Sequence, residues 1–251
     1  MLKSACRLIA ALVLLLAAPA AAAPVQEPQG DQGEKGATRH VLALTWQPGF
    51  CLARPKSPEC TRRPDAAAPR LSLHGLWQVK KSYCGIDADL KKRDRSSRWT
   101  ALPELALSEG TAARLAAAMP GVAAGLDRHQ WLMNGTCHAP TAEDYYVRSL
   151  EMLDAVNRSA VGAFFEAHAG RSVTMADVAA AFDTAFGAGA GQRVRLRCRR
   201  IDGQSVVTGL TIGLSAPDGE LPALIGGASP TKSGCEGGLV AWGRRLTEVA
   251  D

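Results

Sequence analysis

The chain has 251 residues, 47% of them hydrophobic and 21% charged, with a formal net charge of +5 at pH 7. This length suits one domain with a substantial core, and beyond the N-terminus no segment is apolar enough to cross a membrane. The positive balance is too mild to indicate a nucleic-acid partner by itself, although local basic patches can still bind one.

The N-terminus predicts a secretory signal peptide. Lys3 and Arg7 precede a short apolar run that ends in small residues, the pattern of a cleaved leader. A membrane anchor is the alternative, but the run is short for a span and dilute in large side chains. We expect a signal peptide over 1–23, a disordered leader over 24–38 and one domain over 39–251. The protein would then be periplasmic or secreted, with no membrane attachment.

Six cysteines follow the predicted signal peptide, and an even number in this context indicates three disulfides formed in an oxidising compartment. They are Cys51, Cys60, Cys84, Cys137, Cys198 and Cys235. No Cys-x-x-Cys pair occurs, which argues against a zinc ribbon or a redox motif. Spacing alone does not choose among the 15 pairings that six cysteines allow.

The first part of the chain predicts two strands separated by a loop. Residues 40–46, HVLALTW, alternate and contain β-branched and aromatic side chains, and QPGFC then interrupts them. After a Pro-rich loop, residues 71–77, LSLHGLW, predict a second strand in which Gly75 indicates a bulge or a close backbone approach. Residues 78–108 predict a long irregular excursion, and the KKRDR run at 91–95 is interpreted as a solvated loop.

The middle of the chain predicts helices, and its last quarter predicts strands. Helices are expected over 111–119, 126–135, 141–157, 160–168 and 174–186. Strands are expected over 194–200, 206–214 and 237–242. Strands, then helices, then strands without strict alternation predict an α+β fold.

The strand VRLRCRR, residues 194–200, alternates arginines with apolar side chains. Its apolar face consists of Val194, Leu196 and Cys198. Its basic face consists of Arg193, Arg195, Arg197 and Arg199. We interpret the basic face as the solvated side of a sheet whose apolar side packs on the core. Phosphate binding is the alternative that the arginines leave open.

The segment HQWLMNGTC, residues 129–137, begins on a predicted helix. Positions i, i+3 and i+4 share one face of a helix, so Gln130, Met133 and Asn134 are expected to point the same way. If that helix faces the strand that carries His74, the four side chains form one site. Periodicity alone does not establish that they meet.

Three stretches of the chain together form a family signature: HGLW at 74–77, the H-x-W-x-x-x-G-T-C frame at 129–137, and LALTWQPGFC at 42–51. Taken in chain order, these stretches resemble the ribonuclease T2 family of secreted endoribonucleases, whose bacterial branch is the periplasmic ribonuclease I group. The resemblance runs from about residue 40 to residue 242. It implies a central antiparallel sheet packed by helices. The disulfides that it implies are Cys51–Cys60, Cys84–Cys137 and Cys198–Cys235.

The resemblance also implies cleavage of RNA without a metal or cofactor. In that family one His removes the 2′-OH proton, the oxygen attacks the adjacent phosphorus, and a second His protonates the leaving 5′-oxygen, which gives a 2′,3′-cyclic phosphate. By its position in the motifs, His74 is the general acid, Trp77 stacks on a base, and His129 is an auxiliary His near the phosphate. We accordingly expect a monomer that binds RNA, single-stranded rather than duplex.

The second motif departs from the family at three positions. Gln130 stands where the family has Glu, Met133 where it has Lys, and Asn134 where it has the second catalytic His. Asn134 can hydrogen-bond but cannot accept a proton, Met133 has no charge to balance a pentavalent phosphorane, and Gln130 keeps the shape of Glu without its charge. Each acid–base group typically supplies about 10²–10⁴-fold in rate, so the loss of the base alone is severe.

The sequence therefore leaves three functions open. The first is an RNA-binding family member whose cleavage is weakened or lost, which would make it a pseudoenzyme. The second is an active endoribonuclease that uses His74 with His129. A continuous helix would place His129 about 140° from Asn134, away from the site, unless the helix begins after it. The third is a protein-interaction or inhibitory module on the same scaffold.

Overall fold

The computed structural model describes residues 36–61 and 69–243. The predicted signal peptide and most of the predicted leader lie outside the described residues, as do residues 62–68 and 244–251. Within the described ranges, no helix combines the length and the apolar character that crossing a membrane requires.

The described residues contain a mixed sheet of six strands. The strands are β1 (His40–Thr45), β2 (Ser72–Gln78), β3 (Ser172–Thr174), β4 (Val194–Ile201), β5 (Gln204–Leu214) and β6 (Gly237–Leu239). Strands β2, β1, β5 and β4 lie side by side and pair antiparallel. β6 pairs with β5 in parallel at one position, and β3 pairs antiparallel with β6. The α+β class is confirmed, and so is the central antiparallel sheet apart from the β5–β6 pair.

Nine α-helices connect these strands in the described part of the chain. They are α1 (Gln47–Ala53), α2 (Pro58–Thr61), α3 (Ala88–Arg95), α4 (Glu109–Ala118), α5 (Leu126–Met133), α6 (Ala142–Asn157), α7 (Ala160–Ala167), α8 (Met175–Phe186) and α9 (Leu221–Gly226). The five predicted helices are α4 to α8. Ser108, Thr141, Ser159 and Thr174 begin four of them, because each side chain accepts an N–H of the first turn.

Three stretches predicted as irregular are helical. QPGFC begins α1, the Pro-rich loop contains α2, and the KKRDR run belongs to α3, so the prediction of a solvated loop there was wrong. Asp87 begins α3 by accepting the Leu90 N–H, and Asp94 is buried with 1% exposure. The sequence conceals α3 because its one buried side chain is an acid rather than an apolar residue, which leaves no hydrophobic periodicity to detect.

One face of β1 and β2 packs into the main core together with α6. Leu42, Leu44, Leu73 and Leu76 of the two strands are at most 3% exposed and share this core with Tyr145 of α6. The Tyr145 hydroxyl donates to the Leu76 carbonyl and accepts the Leu76 N–H, both at 2.9 Å. These two bonds hold β2, the strand that carries His74, against α6.

Three disulfides close the loops of the domain, and they are the pairs that the family resemblance implied. Cys51–Cys60, Cys84–Cys137 and Cys198–Cys235 have Cα–Cα separations of 5.3, 5.0 and 6.1 Å. The second of these bonds ties the chain after β2 to the 3₁₀ turn after α5 (Gly135–Cys137). Three disulfides are typical of a protein that folds in an oxidising compartment.

Two histidines meet beside this disulfide, at the start of β1. The rings of His40 and His138 pack edge to face with their centroids 5.2 Å apart, and neither Nδ1 atom has a hydrogen-bond partner among the described residues. Burial lowers the pKa of His138 to about 4, aided by the nearby His40. Burial likewise lowers the pKa of His40, although Asp218 opposes the shift.

The histidine pair predicts that the domain loses stability in mild acid. Both pKa values lie below the value of 6.5 that the unfolded chain would show, so the unfolded state binds more protons between pH 6.5 and about 4. Stability must therefore fall as the pH drops through that window. We expect the unfolding temperature to decrease by several degrees, at about 2–4 °C per kcal/mol. Calorimetry of the wild type and of His138→Gln checks this, and an equal decrease in both would contradict it.

Candidate functional site

A cavity of about 660 Å³ opens on the sheet face opposite the Leu42 and Leu44 side chains. Because side chains alternate along a strand, the β1 residues that follow each of those leucines face the cavity, and their side chains are small. Ala43 and Thr45 of β1, with Gly209 and Thr211 of β5, form its floor. The walls include His74, Trp77, Arg195, Arg197 and Arg199. The cavity therefore combines an imidazole, an indole and a row of guanidinium groups.

His74 reaches this cavity because β2 contains a bulge. Leu73 pairs with Leu44 and Gly75 pairs with Ala43, which leaves His74 as the extra residue without a partner on β1. A bulge redirects a side chain that regular alternation would point elsewhere. The bulge or close approach predicted at Gly75 is thus confirmed.

The His74 imidazole is neutral at neutral pH. Burial, together with the positive charge of Arg197 and the nearby His129, lowers its pKa to about 4. Its Nδ1 lies 3.5 Å from the Thr45 hydroxyl, and its ring packs edge to face with Trp77 at 5.9 Å. At pH 7 a group in this state can accept a hydrogen bond, but it is a weak base and is poorly suited to donating a proton.

A closed, neutral hydrogen-bond network lies behind Trp77. The Gln130 Oε1 atom accepts from the Trp77 Nε1–H and from the Asn134 Nδ2–H, both at 2.9 Å. Gln130 and Asn134 are 3% and 6% exposed. The network brings α5 against β2, a contact that periodicity alone did not establish. Neither amide lines the cavity itself, so both act next to the His74 site rather than inside it.

Met133 is separated from this network. Its backbone carbonyl accepts the Tyr83 N–H at 2.9 Å, its side chain is half-buried, and it does not line the His74 cavity. The structure therefore brings Gln130 and Asn134 together and leaves Met133 outside the pair. No cation occupies the position at which the family pattern has a lysine.

His129 belongs to a second cluster, which sequence reasoning missed. Its Nδ1 lies 2.8 and 2.9 Å from the two carboxylate oxygens of Asp94, and its ring stacks on Trp99 at 4.1 Å. Asp94 also accepts the Tyr83 hydroxyl at 2.6 Å. The acid within KKRDR was the signal that could have pointed to Asp94. Because His129 lowers the pKa of His74, the two imidazoles lie within electrostatic range of each other.

A second cavity, of about 490 Å³, meets the first at His74. The two share Thr45, Phe50, Arg54 and His74, and the second adds Trp99 and Glu59. Glu59 is 9% exposed, and its Oε2 has no hydrogen-bond partner among the described residues. No sequence pattern pointed to Glu59 or Arg54. In the described ranges no three His, Cys, Asp or Glu side chains are arranged to hold a metal ion.

Comparison with known proteins identifies the class. The model of the Ribonuclease T2 family matches residues 38–218, so the chain belongs to this family. It is 29% identical over 186 residues to Ribonuclease I of Escherichia coli (strain K12), which covers 64% of this chain and 69% of that protein. Its fold is similar to that of Japanese pear S3-RNase, with a TM-score of 0.52, 16% identity, and coverage of 72% of this chain and 87% of that one.

The contact between Gly75 and Gln130 yields a direct test of the site geometry. A methyl group at position 75 would overlap the Gln130 amide oxygen and approach the Trp77 Nε1 at 3.0 Å. We expect Gly75→Ala to lower the free energy of unfolding by about 1–3 kcal/mol, the usual cost of overpacking. In a Gln130→Ala background the same change should cost much less, because the obstructing amide is gone.

Urea unfolding of the four proteins in this double-mutant cycle measures the coupling between the two positions. Additive effects of the two substitutions would contradict the packing of α5 against the β2 bulge. Gly85→Ala is a control for the loss of a glycine, because nothing lies within 4 Å of a methyl group there. The positive φ of 69° at Gly85 adds backbone strain of its own to this control.

Proposed function

We propose that this protein binds single-stranded RNA in the cavity at His74 and cleaves it slowly or not at all, in a periplasmic or secreted location. The observation that carries the proposal is the neutral Gln130–Asn134–Trp77 network. It fills the positions where the family pattern has its charged and proton-transferring groups. The cavity in front of it remains open and is lined by groups that bind nucleic acid.

The weak cleavage follows from the state of each acid–base group. Asn134 cannot remove a proton from a 2′-hydroxyl at any ordinary pH. His74, with a pKa of about 4, carries a proton in roughly one molecule in a thousand at pH 7. Without a base and with a scarce acid, the transesterification loses both proton transfers on which its rate depends.

The binding half of the proposal rests on the lining of the cavity. Trp77 offers an aromatic face to a base, and such stacking contributes about 1–3 kcal/mol per base in single-strand-binding proteins. The arginines of β4 offer positive charge to phosphates. The neutral His74 can still accept a hydrogen bond from a ribose hydroxyl. None of these contributions requires a proton transfer.

Restoring the family pattern should restore cleavage. We expect Gln130→Glu/Met133→Lys/Asn134→His to raise the rate of RNA cleavage by at least about 10²-fold over the wild type, the usual contribution of one acid–base group. Chromatography of a short RNA oligonucleotide, with detection of 2′,3′-cyclic phosphate ends, measures this rate. Adding His74→Ala to the restored variant should abolish the gain.

Two results would decide against the proposal. A wild type that degrades RNA as fast as Ribonuclease I of Escherichia coli, assayed side by side, would refute the loss of cleavage. A wild type with no measurable affinity for RNA would refute the binding, and would favour the protein-interaction or inhibitory module.

A rearranged but active endoribonuclease is the second candidate, and the Asp94–His129 pair favours it. A carboxylate against Nδ1 fixes the tautomer and orientation of an imidazole. His129 could then supply the acid while the neutral His74 supplies the base. The two rings act on each other electrostatically, as an acid–base pair across one substrate would.

This candidate makes a separate prediction about residual cleavage. If it is correct, His129→Ala and Asp94→Asn each lower the residual rate by at least about 10²-fold, and Asp94→Asn also shifts the pH profile. Tyr83→Phe is the matched control, because it removes a hydrogen bond to Asp94 and leaves the Asp94–His129 pair intact. Undiminished cleavage by His129→Ala would eliminate the His74–His129 pairing.

A further inference from the structure

The lining of the His74 cavity is rich in positive charge. Four arginines line it, Arg195, Arg197 and Arg199 from β4 and Arg54 from the end of α1, and no carboxylate is among its described lining residues. Several like charges on one wall repel each other and create a positive potential in the cavity. An anionic ligand with more than one charge is the chemistry that this wall fits.

The pairing of the strands explains why the arginines face the same cavity as His74. Arg195 pairs with Thr211 and Arg197 with Gly209, and these two β5 residues also pair with Ala43 and Thr45 of β1. Small side chains thus form a floor between β2 and β4. At about 4.8 Å per strand, this floor separates the two walls by about 14 Å. The backbones that carry His74 and the three arginines therefore lie on opposite sides of the floor, and a ligand of several nucleotides can contact both walls.

The spacing along β4 also suits a chain of phosphates. Alternate residues of a strand lie about 6.6 Å apart, so Arg195, Arg197 and Arg199 spread three charges over roughly twice that length. All three are exposed. The charge of Arg197 reaches across the floor, because it contributes to the lowered pKa of His74. The β4 wall and the His74 wall therefore face the same cavity volume.

We propose that Arg195, Arg197 and Arg199, the arginine row, hold the sugar–phosphate backbone of a single-stranded RNA on the nucleotides that lie beyond His74. The proposal rests on the proposed function, and it adds the residues that hold the strand beyond the nucleotide at His74. The row reads no bases, since guanidinium–phosphate contacts carry no sequence information.

Salt-dependent binding tests the arginine row. The probe is a fluorescent single strand of about 12 nucleotides with 2′-O-methyl riboses, which cannot be cleaved, and its affinity is measured by anisotropy from 50 to 200 mM salt. For single strands each phosphate contact contributes about −0.7 to the slope of log K against log salt. We expect Arg195→Ala/Arg197→Ala/Arg199→Ala to make that slope shallower by about 2 and to weaken binding at low salt by at least 10-fold, about 1.4 kcal/mol.

A charge-matched control separates the row from the overall charge. Arg114→Ala/Arg158→Ala/Arg200→Ala removes three exposed arginines that do not line the cavity, and it should change the slope by less than half as much. 5′-UMP should bind the wild type and the row variant with similar affinity, because it offers only one phosphate. Circular dichroism checks folding, and single substitutions in the row, each worth about 0.7 in slope, serve if the triple variant does not fold.

The outcomes distinguish the two proposals. A wild type that binds the strand, together with a folded row variant whose slope is unchanged or no shallower than the control's, overturns the arginine row and leaves the proposed function standing. A wild type that binds neither the strand nor 5′-UMP overturns both. A wild type that binds 5′-UMP as tightly as the strand overturns the row alone.

Discussion

The close approach of α5 to the bulge in β2 is the contact on which the rest of the site depends. Gly75 has no side chain, so the Gln130 amide can lie against the strand and accept the Trp77 indole N–H. The same bulge releases His74 from regular pairing and directs it towards the cavity. Cys84–Cys137 ties the chain after β2 to the turn after α5, and the Tyr145 hydroxyl of α6 holds β2 at Leu76. Imidazole, indole and amides are therefore positioned by one backbone irregularity.

The electrostatics of the cavity connect binding with proton chemistry. Positive charge near His74 lowers its pKa, because a second positive charge on the imidazole is disfavoured there. The same charge attracts phosphate, and a bound phosphate would offset it. Since coupling between two ligands is reciprocal, a phosphate bound there would raise the pKa of His74 by as much as protonation of His74 would favour the phosphate. A phosphate bound there would therefore increase the protonated fraction of His74, the form that a general acid requires.

Much of the fold could be predicted from the sequence, and the site only in part. Alternation gave β1, β4 and β5, and Ser or Thr caps marked the helices α6 and α8, because both signals are local. The family resemblance supplied the disulfides, which spacing left open. The Asp94–His129 pair joins residues 35 positions apart, and no local pattern encodes such a contact. The arginines of β4 were equally ambiguous, since a solvated face and a phosphate-binding wall have the same alternating sequence.

The structure also explains why Gln130 and Asn134 are amides rather than apolar residues. Both are buried, and the Trp77 N–H would lose its acceptor if Gln130 were hydrophobic, at a cost of about 1–3 kcal/mol. A glutamate at 3% exposure would need a cation beside it, and Met133 and Asn134 provide none. The three residues Gln130, Met133 and Asn134 are therefore consistent as an uncharged set. The polar shape of this network is accounted for by stability, so it is not by itself a sign of retained catalysis.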